Sequence, residues 1–458
     1  MARGRETRWG GIVDDRLRAT GFFHVATLNG VSWLVDPDGG RFLSKGVTTV
    51  RFDQDQIRGT DRSPYAEACG RKYGGIDPWR SAAARRLRSF GFNSLGAWSD
   101  DQVAAAGDLP LALCPIIDLG AAFVAHQHPG THAWLHGTFP DVFDPEFEPF
   151  CRNRAHEACA ARRTEPNIIG WLTDNELRWG PDWRGSEDLL TAFVGRQPES
   201  FGRRAALAML RDRYGSFDDF RAVWNSTARS WKELEHAETI TPACRPDGGA
   251  APTGGDASDA IRAAFETDCD GFMGELARRY FEATVAAVKA ADPDHLVLGC
   301  RFAYVPPPAV LAEAARHLDV VSLNCYDSDP GPAIGAYAAT GKPFLIGEFS
   351  FRADDSGLPN THGGGPRVAT QRDRARGFEH YVTTALGQPG LVGYHWFEHA
   401  DQPAEGRFDG ENSNYGMVTT ADDVYQDLAR TMAAVNGRAE DIHAASAWRP
   451  ARDAEPGV

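Results

Sequence analysis

Two glutamates in this chain each follow a short apolar run that is typical of a buried strand. Glu176 ends the segment Asn167-Ile-Ile-Gly-Trp-Leu-Thr-Asp-Asn-Glu, and Glu348 ends Pro343-Phe-Leu-Ile-Gly-Glu. Strands buried on both faces of a parallel sheet read as continuous apolar runs. Paired carboxylates at the C-terminal ends of such strands can supply the proton transfer and the nucleophilic attack that break a glycosidic bond. Taken singly, each glutamate also fits a helix cap or a partner for a buried arginine.

Further polar and aromatic residues lie near the ends of predicted strands. Asn175 precedes Glu176 and can hydrogen-bond a sugar hydroxyl beside the reacting carbon. Tyr326 and Arg301 can hold Glu348 ionised and oriented, although both also suit a strand end. Trp98 and Trp396 offer flat surfaces for the C–H faces of sugar rings. We expect a substrate-binding set of Asn175, Trp98, Arg301, Asn324, Tyr326, Trp396, Glu398 and His399.

One loop is rich in histidine, which raises the question of a metal. The loop after the third predicted strand holds His126, His128, His132 and His136. Their spacing matches no compact zinc motif, so we predict sugar contacts or a polar loop and no metal. Trp134 in the same loop is a further candidate sugar platform. The chain has no Gly-rich phosphate loop, no G-x-S-x-G and no HExxH, and the predicted chemistry needs no cofactor.

The net charge and the composition of the chain argue against some classes of binding partner. The chain has 458 residues and a formal net charge of -15, with no basic run, which argues against nucleic acid and acidic membranes. No stretch approaches the roughly 18 apolar residues of a membrane helix, and no apolar region follows the charged N-terminus. Cys114, Cys300 and Cys325 fall in predicted buried strands, where a free thiol behaves as a small hydrophobic side chain. We therefore expect a reduced, cytoplasmic protein, and the sequence leaves homo-oligomerisation open.

The chain alternates candidate strands with amphipathic helical segments. Eight strands are the number that closes a barrel whose interior is filled by side chains. The sequence therefore predicts the α/β class and a (β/α)8 TIM barrel. The candidate strands are Arg41–Thr48, Phe92–Gly96, Leu109–Ile117, Ile168–Leu172, His295–Cys300, Val320–Asn324, Phe344–Gly347 and Leu391–Trp396.

Three further regions are predicted around that barrel. Residues 1–40 contain an N-terminal β-hairpin, marked by the turn Asp36-Pro-Asp-Gly. Residues 41–440 form the catalytic barrel, with a helical insertion after strand four at about 180–262. The Gly/Ala/Pro/Asp tract Pro246–Ser258 inside it is expected to be a surface loop. Residues 441–458 are expected to be a weakly ordered tail.

Several segments resemble a known family. They are Trp33-Leu-Val-Asp-Pro-Asp-Gly, Phe139-Pro-Asp-Val-Phe-Asp-Pro-Glu-Phe, Gly170-Trp-Leu-Thr-Asp-Asn-Glu-Leu-Arg-Trp and Ile346-Gly-Glu-Phe. They are similar to glycoside hydrolase family 50, the β-agarases, within the clan A retaining glycosidases. The run from Tyr214 to Trp224 also resembles a motif of the family 42 β-galactosidases. The resemblance implies a (β/α)8 barrel in which Glu176 is the acid/base and Glu348 the nucleophile.

Residues and resemblance together favour a retaining glycoside hydrolase. We expect double displacement on a β-linked substrate, a β-galactoside-like unit or an agaro-oligosaccharide, attacked from the chain end. Two alternatives stay open: a transglycosylase that uses the same glutamates, and a catalytically silent sugar-binding barrel. The exact sugar and the role of the histidine loop also stay open.

Overall fold

The computed structural model describes residues 6–14, 16–237, 240–244 and 256–446. Its strands are β1 Ile12–Val13, β2 His24–Leu28, β3 Val31–Val35, β4 Gly40–Phe42, β5 Ser44–Val47, β6 Ser94–Leu95, β7 Ala112–Leu113, β8 Gly170–Asn175, β9 Trp224–Ser226, β10 Ile240–Pro242, β11 Leu296–Arg301, β12 Val321–Asn324, β13 Phe344–Phe349, β14 Arg352–Ala353, β15 Arg367–Val368 and β16 Leu391–Trp396. Its helices are α1 Pro64–Tyr73, α2 Ile76–Ser89, α3 Leu119–Gln127, α4 Ala133–His136, α5 Phe147–Cys159, α6 Leu189–Val194, α7 Phe201–Arg213, α8 Phe217–Val223, α9 Trp231–Leu234, α10 Asp256–Ala291, α11 Pro308–His317, α12 Gly331–Ala338, α13 Gln371–Leu386, α14 Gln426–Asn436 and α15 Ala439–Ala444.

Parallel strands form the centre of this mixed α/β protein. One sheet has the order β12-β13-β16-β5-β6-β7, and β8 pairs with β11 in a second. Isolated parallel bridges connect the two: Leu113 with Ile168, Ile116 with Leu172 and Phe302 with Leu323. Strands β11, β13 and β16 are buried along their whole length because helices cover them. Each of the eight predicted strand segments overlaps one of these parallel strands.

The first part of the chain forms an antiparallel sheet with the order β1-β4-β3-β2. Strands β2 and β3 make a hairpin, with His24 opposite Val35 and Leu28 opposite Val31. The segment predicted as one strand from Arg41 is divided, because β4 pairs with this sheet whereas β5 joins the parallel strands.

A C-terminal tail is expected at 441–458, and residues 441–446 of it are described. Helix α15 begins before them, at Ala439, and packs on the N-terminal sheet. The imidazole of His443 is fully buried, lies edge-on to Trp33 and contacts the carbonyl oxygen of Ser32 at 3.0 Å. This apolar contact and these hydrogen bonds fix the helix, and a weakly ordered tail stays a prediction. The remainder, 447–458, lies outside the described residues.

Helices α6 to α9 and the β9–β10 ribbon follow β8, before the long helix α10. The indole of Trp224 and the hydroxyl of Tyr214 both donate to the buried carboxylate of Asp268 on α10, at 2.8 and 2.6 Å. The motif from Tyr214 to Trp224 therefore anchors this region to α10. Residues 246–255 of the predicted surface tract lie outside the described residues, and from Asp256 the chain is helical.

Two general features accompany this architecture. All eight cysteines are free thiols, and Cys114, Cys300 and Cys325 are buried as the sequence predicts. Within the described ranges, no helix combines the length and the apolar character that crossing a membrane requires.

Candidate active site

Glu176 is the first residue after β8, at the end where the neighbouring parallel strands also finish. Its side chain is 7% exposed, and its φ of 47° lies in the left-handed region that a non-glycine residue rarely adopts. One carboxyl oxygen accepts a hydrogen bond from Asn324 Nδ2 at 2.9 Å, and the other accepts one from Trp134 Nε1 at 2.7 Å. Both oxygens are therefore oriented, by donors from a strand end and from a loop.

Glu348 lies near the end of β13 and is 4% exposed. The hydroxyl of Tyr326 donates to its Oε2 at 2.6 Å, and Arg301 Nη2 lies 2.8 Å from Oε1. The arginine contact is an ion pair without hydrogen-bond geometry, since neither atom has a hydrogen-bond partner. Both contacts that the sequence predicts for Glu348 are thus present.

Burial and the Arg301 guanidinium change the pKa of the Glu348 carboxyl in opposite directions. Burial, and to a smaller extent the charge of Glu176, raise the pKa of Glu348 to about 7, although the charge of Arg301 and the hydrogen bond from Tyr326 act to lower it. The carboxylate form therefore dominates only above neutral pH. A group that is ionised and buried beside a guanidinium is suited to attack an electrophilic carbon.

The two glutamates are joined through Asn324. This residue aligns with Glu348 in the parallel register of β12 and β13, while its amide donates to Glu176 and, at 3.1 Å, to Asn175 Oδ1. Arg301 similarly aligns with Asn175 in the register of β11 and β8. Four successive strands therefore bring the predicted polar residues together at one end of the parallel arrangement.

Gly347 leaves room for these side chains. A Cβ atom at this position would lie 2.7 Å from Arg301 Cδ and 3.0 Å from Asn324 Oδ1. Real Cβ contacts are not that short, so glycine is required for the close approach of both residues.

Trp98 also belongs to this group, but in a different role from the one expected. Its half-buried indole stacks with Arg301, whose guanidinium carbon lies 4.4 Å from the ring centroid. The ring therefore supports the arginine that pairs with Glu348. A sugar would share Trp98 with that guanidinium.

Two residues of the expected substrate-binding set, Trp396 and His399, lie in the core. Trp396 has no exposed surface, packs edge-on against Phe349 and donates its indole N–H to the carbonyl oxygen of Tyr415 at 2.9 Å. His399 is equally buried, between the rings of Tyr65 and Trp79, and burial lowers its pKa to about 3. Both side chains face the hydrophobic core because their strand and the turn after it are covered by helices.

Glu398 is fully buried and its Oε1 accepts from Gln402 at 3.1 Å. Burial raises its pKa well above the ordinary value, and the nearby charges of Asp55 and Arg407 also act on it. The prediction that Glu398 contacts substrate directly is not supported by this position. It belongs to a carboxylate cluster around Arg407, whose own charge also reaches Glu348.

The histidine loop folds into α3 and α4. The Nδ1 of His132 accepts from Leu135 N at 3.5 Å, and that of His136 accepts from His132 N at 3.2 Å, so both rings help to shape the turn. Among the described residues, no group of three or more His, Cys, Asp or Glu side chains has the arrangement of a metal site.

Two residues near Glu176 were not predicted in these roles. Trp134 was expected as a sugar platform, and the structure shows its indole on the Glu176 carboxylate. Arg184 donates to the carbonyl oxygens of Glu176 and Trp134, at 2.9 and 3.0 Å, and its guanidinium covers Trp183 at 4.5 Å. The only signal for Arg184 in the sequence is its place in the polar, aromatic loop after Glu176.

Known proteins share this architecture. No protein-family model matches the chain. Similar curated proteins include β-agarase B of Vibrio sp. strain JT0107, 26% identical over an alignment of 486 residues that covers 92% of this chain and 48% of that protein. β-Agarase A of the same organism is 30% identical over 451 residues, covering 86% of this chain and 43% of that protein. The chain thus spans about half the length of the curated relatives it matches.

Solved structures of agarases are also similar to this chain. An exo-β-agarase matches with a TM-score of 0.77 and 25% identity, over 97% of this chain and 68% of that one. A second agarase matches with a TM-score of 0.75 and 25% identity, over 96% and 68%. This chain is a homologue of the β-agarases. The resemblance to glycoside hydrolase family 50 is confirmed, and in this agarase homologue it extends over nearly the whole chain.

Proposed function

We propose that this β-agarase homologue is a retaining glycoside hydrolase that cleaves β-linked agaro-oligosaccharides. The observation that carries the proposal is the pair of buried carboxylates at neighbouring strand ends, held by different kinds of partner. Glu348 has an ion pair and a phenol hydroxyl, whereas Glu176 has an indole N–H and an amide. Environments that differ in this way suit two carboxyl groups to two roles.

In the first step the protonated Glu176 gives its proton to the glycosidic oxygen as the bond to the anomeric carbon breaks. The Glu348 carboxylate attacks that carbon and forms a glycosyl ester, and the leaving sugar departs with the proton. In the second step Glu176, now ionised, removes a proton from water, which attacks the anomeric carbon and releases Glu348. Two inversions give net retention.

The proposal includes a closed barrel. The pairings and bridges connect parallel strands in the order β5-β6-β7-β8-β11-β12-β13-β16, and β16 pairs with β5 again. This order is what a (β/α)8 barrel requires, and both glutamates then lie at its C-terminal face. The proposal keeps the expected regions: a hairpin at 1–40, the barrel at 41–440 and a helical insertion at about 180–262.

We also propose attack from the chain end. The structurally similar exo-β-agarase supports this, and so does the loop beside Glu348. Gly364 and Gly365 pack against the ring of Tyr326, and Tyr415 holds that loop by donating to the carbonyl oxygen of Gly364 at 2.7 Å. A fixed loop on the Glu348 side limits the number of sugar units that fit there. Trp179, which the sequence places near Glu176, is buried in the core and takes no part.

The decisive test is Glu348→Gly with an activated agaro-oligosaccharide. We expect turnover to vanish and added azide or formate to restore it, with a product of inverted anomeric configuration detected by NMR. Near-normal turnover without the anion would refute the assignment. Circular dichroism of Glu348→Gly and of the near-isosteric Glu348→Gln separates loss of chemistry from loss of fold.

Product analysis tests the manner of attack. With an end-labelled hexasaccharide, release of only the shortest product in the first turnovers supports attack from the chain end. Early mid-chain fragments would contradict it.

A further inference from the structure

A group of four aromatic rings, three exposed and one partly buried, lies around α4, whose Trp134 donates to the Glu176 carboxylate. We call it the aromatic strip, and it consists of Phe408, His132, Trp134 and Trp183. The Trp134 and Trp183 ring centroids are 6.5 Å apart, and those of His132 and Phe408 are 5.9 Å apart. His132 is the N-cap of α4, which contains Trp134, so the two ring pairs share one short segment.

The exposure of this strip is unusual for the molecule. Trp183 is 62% exposed and Phe408 is 53% exposed. Among the described residues, Phe201 is the one other aromatic side chain recorded as a large exposed hydrophobic, at 41%. Clustered exposed apolar surface beside a reactive group indicates a binding site more than scattered single residues do.

The strip is held in place by buried or paired polar groups. Arg184 lies over one face of Trp183, pairs with Asp182 at 2.5 Å and donates to the carbonyl oxygen of Trp134. Arg407 lies 5.3 Å from the Phe408 ring and pairs with Asp409 and Glu411, at 2.9 and 2.7 Å. Rings fixed in this way stack a ligand without a large cost in side-chain entropy.

The position of the strip defines which part of a substrate it meets. Trp134 donates to Glu176, the carboxyl group that acts on the glycosidic oxygen in the proposed function, whereas Glu348 is held by Tyr326 and Arg301. Rings grouped around the side chain that holds this proton donor are placed to meet the sugars beyond the broken bond. Resting on the proposed function, we infer that the aromatic strip binds the leaving-group sugars of a neutral β-linked oligosaccharide.

The charges around the aromatic strip indicate that the oligosaccharide it binds is uncharged. Both arginines that cover its rings are already paired with carboxylates, so they offer little to a sulfate or a uronate. Sugar C–H faces on aromatic rings need no charge.

The strip is tested with two substrates that share the transferred sugar. One is an oligosaccharide with several units beyond the scissile bond, and the other is the glycosyl fluoride, whose leaving group does not reach the strip. Trp183→Ala should lower kcat/KM for the oligosaccharide about tenfold, and much less for the fluoride. The matched control is Phe201→Ala, because Arg204 covers Phe201 at 4.5 Å just as Arg184 covers Trp183. Equal losses on both substrates, or equal losses in both variants, would overturn the inference.

A binding measurement separates this inference from the proposed function. Calorimetric titration of the neutral oligosaccharide into Glu348→Gln should show weaker binding when Trp183→Ala is added, and unchanged binding when Phe201→Ala is added. That result supports the strip even if the wild-type protein turns over neither substrate. Undetectable binding to Glu348→Gln, or equal affinity in all three variants, would overturn it.

Discussion

At the scale of single residues, the partners of Glu348 set the lowest pH at which it can attack. The pKa of its carboxyl is raised to about 7, so protonation removes the nucleophile as the pH falls below neutral. Tyr326→Phe removes a hydrogen bond to the ionised form, which raises the pKa further. We expect the acidic limb of kcat/KM to move about one pH unit upward, so activity at pH 6 falls about tenfold. A pH profile from 5 to 10 measures this.

The control for Tyr326→Phe is Tyr337→Phe. Tyr337 is also buried and donates at 2.9 Å, but to the carbonyl oxygen of Tyr304. Its profile should keep the wild-type limbs. A common shift in both variants would assign the effect to packing instead of to the hydrogen bond on Glu348.

Trp134 should affect proton transfer to the leaving sugar. Its indole N–H holds one oxygen of the Glu176 carboxyl in place, and Trp134→Phe removes that donor. We expect kcat/KM to fall about tenfold for an oligosaccharide, whose leaving sugar must be protonated. The glycosyl fluoride needs no proton, and its kcat/KM serves as the internal reference. Equal losses on the two substrates would show that this indole only supports α4.

The residues that sequence reasoning found and missed differ in where they sit on the chain. Glu176, Glu348, Arg301 and Tyr326 are at or next to apolar strands, so strand order alone brings them to one end of the parallel arrangement. Trp134 reaches Glu176 from the short helix α4 and Arg184 from a loop, and both paths depend on contacts that are distant in sequence. The contact of Trp134 with the Glu176 carboxylate and that of Arg184 with the Glu176 carbonyl oxygen were therefore not predictable from local pattern.

At the scale of elements, the apolar runs predicted the parallel strands because buried strands need continuous apolar surface. They could not tell which side of a strand end faces the site. Trp396 and His399 both belong to the aromatic-rich run from Tyr394 to His399, and both side chains are buried in the core beneath the helices. The division between β4 and β5 could not be predicted either, because the extended segment from Arg41 to Thr48 pairs with two different sheets.

Strand β13 offers a prediction at this scale. Gly347→Ala introduces a Cβ that must push Arg301 and Asn324 away from the two glutamates. Displacements of that size near reacting atoms cost about 100-fold in rate, so kcat should fall by about that factor while the fold persists. Gly335→Ala in α12 is the control, because nothing lies within 4 Å of its Cβ. Equal kcat in the two variants would show that the strand adjusts without moving Arg301.

At the scale of the whole molecule, the last helix packs against the first of the central parallel strands. Lys45 of β5 pairs with Glu440 of α15, and their side chains are 9% and 13% exposed. Glu440→Ala leaves the ammonium group buried beside Asn436 without its carboxylate. We expect the free energy of unfolding to fall by about 3 kcal/mol in chemical denaturation. Asp441→Ala, on the exposed face of the same helix, should change it by less than about 0.5 kcal/mol.

The net charge of -15 also has a measurable consequence. A sulfated oligosaccharide is repelled by this field, whereas a neutral one is not. We expect neutral chains to react at rates that salt barely changes. Sulfated chains should react at least about tenfold more slowly at low salt and recover partly as salt screens the repulsion. Equal kcat/KM values for both chains at low ionic strength would contradict this.

The indole of Trp134 belongs at once to the aromatic strip and to the hydrogen bonding of Glu176. A substitution of Trp134 that alters binding of the leaving sugar therefore also alters the transfer of a proton to that sugar. Under selection for a new substrate, substrate preference and proton transfer would have to change together here. By contrast, Phe408 and Trp183 donate to neither glutamate. Adaptation to longer or differently shaped chains is expected to begin at those two positions, with Trp134 among the last to be replaced.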